Sequence, residues 1–172
     1  MLHTTRAIVL RTVEHGDRSA ILKAYTQSFG ARSYMVRTVT QAMRLQPLAR
    51  LELVVTERRE HEMQTVRELR VERPYLHVPN DHARGLLLLF AQEVFCRTLR
   101  EEAPDEQLFT FVQEVLEDID TSNGLAEQPV LLLLGLADRL GFRPDPEGSD
   151  EALFDLREGC FLMGVPAHGQ CM

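Results

Sequence analysis

Four short runs near the start of the chain are rich in Val, Ile, Leu, Tyr and Thr: Ala7 to Val13, Arg18 to Thr26, Arg32 to Thr38 and Ala49 to Thr56. Short runs of this β-favouring composition and length, bounded by turn residues, predict β-strands, in which side chains two residues apart share one face. Turn material separates them, at His15-Gly16-Asp17 and Ser28-Phe29-Gly30, with a linker around Gln46-Pro47. Met63 to Val71 predicts a fifth strand. Five short strands joined by tight turns at first and a longer connection later predict a small barrel, of OB type or SH3-like, between which the pattern does not choose.

After Arg73-Pro74-Tyr75 the period changes from two to nearly four. Residues 82 to 101 carry apolar side chains almost all round, which predicts a central buried helix. Pro104-Asp105-Glu106 opens a second helix, with proline in the first turn and acids near the positive end of the macrodipole. Its stripe of Leu108, Phe111, Val112, Val115, Leu116 and Ile119 places Glu114, Glu117 and Asp118 in water. A third helix, about Ala126 to Leu140, meets a stop signal at Gly141 with Pro144 beyond. Phe154 to Met163 alternates around Glu158-Gly159 and reads as a hairpin or an isolated loop. The expected class is α+β in two parts: a five-stranded barrel over residues 1–76, then a helical domain over 77–172 with a short non-helical tail from about residue 144.

Composition narrows the class. A chain of 172 residues allows one domain or two small ones, and 44% hydrophobic with 26% charged residues excludes a disordered polyampholyte. The longest apolar runs, Leu86 to Ala91 and Val130 to Leu134, are far shorter than the roughly 18 to 20 residues that span a bilayer, so no membrane association is expected. The first residues show no secretory pattern, and Cys96, Cys160 and Cys171 make no paired framework, so the expected setting is the cytoplasm. The net charge of -7 hides a division. Residues 1–80 hold 13 basic against 8 acidic side chains, and residues 81–172 hold 6 against 18. Within the first fifty residues the count is 8 to 2, so an anionic partner is attracted there and repelled by the rest. Every cation but Lys23 is arginine, which coding composition or a saline habitat explains without function.

Several chemistries lack support. No phosphate-loop, dinucleotide, nucleophile-elbow or HExxH signature occurs. His15 with Asp17 lies in a turn, where short polar side chains bond locally. Glu101-Glu102 and the Asp118/Asp120 pair read as solvated helix ends, and an enzymatic alternative would need a pocket lined by His61, His77 and His82. His168 and Cys171, with Cys160 eleven residues before the latter, supply no CxxC pair, so neither a metal nor another cofactor is expected, and the chain is expected not to be an enzyme. Nucleic-acid chemistry is better served. Ile21, Lys23 and Tyr25 share one strand face, Arg32, Tyr34 and Val36 another, and rings flanked by cations bind single strands by base stacking and phosphate contact. The plainer reading makes both tyrosines core residues of the barrel. The cations of the expected site are Arg6, Arg11, Arg18, Lys23, Arg32, Arg37 and Arg44, with Tyr25 and Tyr34 as its rings.

The segments in order resemble the bacterial RecO family of DNA repair proteins. Thr5-Arg6-Ala7-Ile8-Val9-Leu10-Arg11, Gly16-Asp17-Arg18-Ser19-Ala20-Ile21-Leu22, Ala24-Tyr25-Thr26 and Gly30 are similar to that family's first hairpin. Leu45-Gln46-Pro47, Leu51-Glu52-Leu53 and Glu68-Leu69 resemble its later strands. Arg100 to Phe109 resembles its helix junction, and Leu140-Gly141-Phe142-Arg143-Pro144 the stretch after the third helix. The resemblance implies an OB-fold followed by a helical domain, in a non-enzymatic recombination mediator of the bacterial nucleoid. Such a protein binds single- and double-stranded DNA, anneals complementary strands, contacts single-strand-binding protein, and helps RecR load the RecA recombinase. It further implies that the helical body receives the acidic C-terminal tail of single-strand-binding protein, for which Arg97, Arg100 and Arg139, between the first and third helices, are the expected partners. Near helix C-termini the macrodipole explains the same arginines. Three departures stand out. The segment Val36 to Arg44 holds only two cations where the family has a cluster, and Arg143-Pro144-Asp145-Pro146-Glu147 replaces the first half of a four-cysteine zinc module that only Phe154 to Cys160 resembles. The chain stops at Met172, where the resemblance implies further helix, so a truncated chain or a short member lacking the zinc module is expected. An alternative is an OB-type module whose ligand is RNA or a protein, with the helices as an interaction surface.

Overall fold

The computed structural model describes residues 1–15, 19–37, 45–56, 64–99, 103–142, 153–155, 157–165 and 168–171. Five strands, β1 (Leu2–Glu14), β2 (Ala20–Thr26), β3 (Gly30–Val36), β4 (Arg50–Thr56) and β5 (Gln64–Arg73), close into a barrel in the order β1-β2-β3-β5-β4. Neighbours are antiparallel except β3 and β5, which run parallel. That order with one parallel contact is the OB fold, which decides between the two expected barrel types. Inside, the small Ala7, Ala20 and Ala24 make room for Tyr34, packed with Val9, Leu22, Leu51, Leu53, Val55 and Leu69.

β1 begins five residues earlier than its β-rich run predicts, because it serves two neighbours. Its first half pairs with β4, from Leu2 opposite Thr56 to Ile8 opposite Arg50, and its second half with β2. Where the second pairing is established, the register slips between Val9 and Arg11. A slip of this kind leaves a backbone group outside the ladder. The Leu10 carbonyl accepts bonds from Gln92 Nε2 at 2.8 Å and Cys96 Sγ at 3.3 Å. Both donors sit on α1 (His82–Thr98), so the bulge is also where the first helix is fastened to the barrel.

The entry to β4 is a tight turn in which the Ala49 amide donates to the Gln46 carbonyl at 3.1 Å. Pro47 takes its second position and Leu48, at φ 52°, its third, a left-handed conformation that glycine normally fills. The strain is of order 1 kcal/mol. It is held by a fully buried Leu48 side chain, a bond from Leu48 N–H to the Val9 carbonyl at 3.1 Å, and the Tyr75 hydroxyl donating to the Leu48 carbonyl at 2.8 Å.

Beyond a single turn of 3₁₀ helix at Val78–Asn80 come α1, α2 (Glu106–Thr121) and α3 (Gln128–Arg139). None of the described helices is long and apolar enough to cross a membrane. By compactness the chain divides into Met1–Pro129 and Val130–Met172. In the second unit, β6 (Leu153–Asp155) and β7 (Cys160–Leu162) form a hairpin, with Phe154 and Phe161 packed edge to face at 4.9 Å.

Four helical expectations are corrected. α1 is not buried all round: Leu87, Leu88, Ala91 and Phe95 are covered, while Leu86, Leu89 and Phe90 are exposed, because the helix lies along the outside of the barrel rather than between layers. Pro104 stands before α2, not in its first turn, and Asp105 is the cap, its carboxylate accepting from the Leu108 amide at 2.9 Å. Glu117 is not a water-facing residue but an ion-pair partner of Arg50 and Arg73, each at 2.8 Å. Asp120 is not solvated either: it is 1% exposed and accepts the amides of Leu76, His77 and Val78 at 2.9, 2.9 and 3.0 Å. It ties α2 to the chain leaving the barrel, while Arg84 closes the other end of the joint by donating to the Ile119 and Ser122 carbonyls at 2.7 and 2.8 Å.

Burial pushes the Asp120 carboxyl up, but the bonds from Leu76, Val78 and His77 outweigh it and hold the group below its ordinary range. A depressed folded pKa contributes stability that is present above the unfolded value, about 4, and is lost as pH falls through the folded one. Asp120→Asn is expected to lower stability at pH 7 by about 1 to 3 kcal/mol. Urea titrations between neutral and acid pH should also show a flatter acid limb than the wild type.

Candidate nucleic-acid interface

Period two and register together lay out the outer face of β1, β2 and β3. In β2, Ala20, Leu22 and Ala24 point into the core, so Ile21, Lys23 and Tyr25 point out. Cross-strand pairing then places Arg11 opposite Lys23 and Lys23 opposite Ser33, forming one row over three strands. Two residues along, Val13, Ile21 and Met35 form a second row. Arg37 is exposed immediately after β3. Among the described residues none of Arg11, Lys23 and Arg37 has a carboxylate partner within ion-pair distance. Burial and Glu93 raise the Cys96 thiol pKa against the opposing pull of Lys23 and Arg11, so this row borders α1. Glu93 itself pairs with Arg97 at 2.5 Å.

The outer face of β1, β4 and β5 is different. Arg6 stands opposite Glu52, and Glu52 opposite Arg70. Arg6 also bonds Glu72 at 2.8 Å, and Arg70 bonds Glu68 at 3.1 Å. Alternating signs on one surface cancel each other's field at a distance, so an anion gains little there.

The nine residues expected at the site therefore separate. Arg11 and Lys23 are brought together, with Arg37 past the end of β3. Arg6 lies on the self-paired face. Arg32 stands opposite the inward Ala24, and its Nε donates to the Phe29 carbonyl at 3.1 Å. Arg18 and Arg44 lie outside the described residues. The stacking role of the tyrosines is corrected: Tyr25 is 3% and Tyr34 1% exposed, so neither offers a ring face to a base. They are not even neighbours on one surface. Tyr34 stands opposite Leu22 inside the barrel, whereas Tyr25 lies outside it, covered by Phe109 of α2 at 5.8 Å between ring centres. Of the row Val13, Ile21 and Met35, sequence reasoning placed only Ile21, on the face of Lys23; period two puts Val13 on the face of Arg11, and Met35 joins them only through register.

Among the helical arginines, Arg97 is exposed and paired with Glu93, Arg139 donates to the Gly135 carbonyl at 3.1 Å, and Arg100 lies outside the described residues. Arg97 and Arg139 belong to different compact units. A cavity of about 500 Å³ lies between the Gln46-Pro47 turn and the first turns of α1, lined by Val78, Pro79, His82, Leu86 and Leu89 among others. His82 reaches it but His77 does not line it, and His61 lies outside the described residues. The Asp81 carboxylate at its edge is committed to capping α1 and to Arg84 at 3.2 Å. Among the described residues no group of three or more His, Cys, Asp or Glu side chains is arranged to hold a metal ion. His168 instead bonds Asp155 at 3.1 Å, whose carboxylate also caps the amides of Arg157 and Glu158.

Comparison with known proteins matches this architecture in two parts. The family model described as recombination protein O N terminal matches residues 1–75, and that described as recombination protein O C terminal matches residues 79–147. The DNA repair protein RecO of Flavobacterium psychrophilum is 27% identical over 164 residues, covering 91% of this chain and 69% of that protein. The protein of the same name from Christiangramia forsetii is 29% identical over 168 residues, covering 94% and 70%. That of Phocaeicola vulgatus is 27% identical over 177 residues, covering 98% and 73%.

Proposed function

The chain belongs to the RecO family of DNA repair proteins, and on that premise we propose that it is a non-enzymatic mediator whose barrel binds DNA through the outer face of β1, β2 and β3. The observation that carries this reading is the contrast between two faces of one barrel. On β1, β4 and β5 Arg6 and Arg70 each meet an acidic side chain and the exposed Arg67 donates to the Thr56 hydroxyl, whereas Arg11 and Lys23 stand side by side with no carboxylate partner among the described residues. Two adjacent unpaired cations repel each other, so the arrangement costs stability unless an anion joins them. The barrel, residues 1–76, is the DNA-binding part of this proposal, and the acidic helical part, residues 77–172, keeps the strand to one side by repulsion. In the same reading the protein anneals complementary strands and helps RecR load RecA, with the tail of single-strand-binding protein held on the helical part.

The test is a fluorescence-anisotropy titration of labelled single- and double-stranded DNA over about 50 to 200 mM salt. Three phosphate contacts, from Arg11, Lys23 and Arg37, are expected to give a log-log slope near -2 on single strands. Complementary oligonucleotides should pair faster in the presence of the protein. An RNA preference, or a slope near zero, would overturn the assignment.

A further inference from the structure

We infer that the row Val13, Ile21 and Met35 receives unstacked bases, and that it makes this face selective for single-stranded over double-stranded DNA; the inference rests on the DNA-binding reading of the neighbouring cations. The row lies on the outside of the barrel, and none of its three residues belongs to the barrel's buried core cluster. Its neighbours along the same strands show what a covered outer surface looks like here: Ile8 and Tyr25 are buried, Tyr25 beneath α2. Val13 by contrast is 47% exposed, and Ile21 and Met35 are partly exposed. Three apolar residues aligned across three strands make a continuous strip, parallel to the strip of Arg11, Lys23 and Ser33 and about 7 Å from it.

One strip of cations beside one strip of apolar groups matches a strand whose phosphates run along one edge and whose bases splay to the other. A single strand presents that edge-to-edge difference, and its bases gain by leaving water. A duplex does not: its bases are stacked inside, and it offers a flat surface only phosphates and sugars. The cations therefore serve both forms of DNA, while the apolar strip serves one. In many single-strand binders aromatic rings take this part. Here the tyrosines are buried, and valine, isoleucine and methionine occupy the surface instead, with methionine supplying an adaptable contact.

The experiment compares Kd for a single-stranded oligonucleotide and its duplex in the full chain and two variants. Val13→Thr/Ile21→Thr/Met35→Gln keeps side chains that suit a strand, and circular dichroism checks its fold. It is expected to lose about tenfold on single strands, to change less than about twofold on duplex, and to keep the wild-type salt slope. Arg11→Glu/Lys23→Glu is expected to lose both. Equal losses on the two forms in the apolar variant, or no loss on single strands, would overturn the inference while leaving the DNA reading intact. Wild-type affinity of the charge variant for both forms would overturn the DNA reading itself. Should the triple variant not fold, Val13→Thr alone, nearly isosteric and at the most exposed position, is read by the same ratio of affinities.

Discussion

Glu117→Ala is expected to destabilise the Met1–Pro129 unit by about 3 to 5 kcal/mol, the cost of leaving a buried charge without its partner. Arg50 is 4% exposed, and its Nη1 bonds Glu117 Oε2 at 2.8 Å. Its Nε and Nη2 are already buried without a hydrogen-bond partner, so the guanidinium relies on one carboxylate and on the Tyr75 ring 5.0 Å from its centre. Arg73, on the other oxygen of Glu117, is more than half exposed, and Arg73→Ala should cost about 1 kcal/mol or less. The double variant Arg50→Met/Glu117→Met removes both charges and the desolvation they suffer, and is expected to come within about 1 to 2 kcal/mol of the wild type on either side. Urea denaturation of the four proteins measures all three differences. A Glu117→Ala loss no larger than that of Arg73→Ala would show that water reaches Arg50 and that the pair is not a buried one.

Reversing Arg11 and Lys23 together is the second large effect expected, on binding rather than stability. At about 0.1 M salt each single-strand phosphate contact contributes roughly 0.7 in log K by counterion release, so deleting two costs on the order of 25-fold. Glutamates at the same two positions add repulsion of similar size, for a total on the order of 10²-fold or more. Both side chains are on an outer face and neither forms an ion pair among the described residues, so the fold should be untouched. Arg6→Glu is the control. It alters the barrel's net charge by the same amount per residue but lies where Glu52 and Glu72 already face it, and it should change affinity by less than about threefold. Equal losses from Arg6→Glu and from each single reversal would mean that net charge, rather than this row, attracts DNA.

The elements themselves were legible because each leaves a local mark. The β-favouring runs Ala7 to Val13 and Ala49 to Thr56 between turn residues, the stripe of α2 and the stop at Gly141 follow from the geometry of strand and helix. The family was legible too, since the order of several short matches survives at an identity below one third.

What tertiary structure decided is which side of each element faces in, and which charges meet. Period two says that Lys23 and Tyr25 share a face and that Arg32 and Tyr34 share another, but only the pairing of Leu22 with Tyr34 shows that the two faces are opposite. Barrel closure buried Tyr34, the second helix covered Tyr25 from outside, and the pairing of β1 with β2 brought Arg11 beside Lys23. Glu117 and Asp120 read in the sequence like any acids near the end of a helix. Arg50 lies 67 residues from Glu117, and the amides that Asp120 receives lie more than forty residues before it. A carboxylate carries no local sign of a partner that far away. Its place is fixed by the cost of burying an unpaired charge or an unbonded amide, and that cost arises only when the barrel and the second helix close on each other.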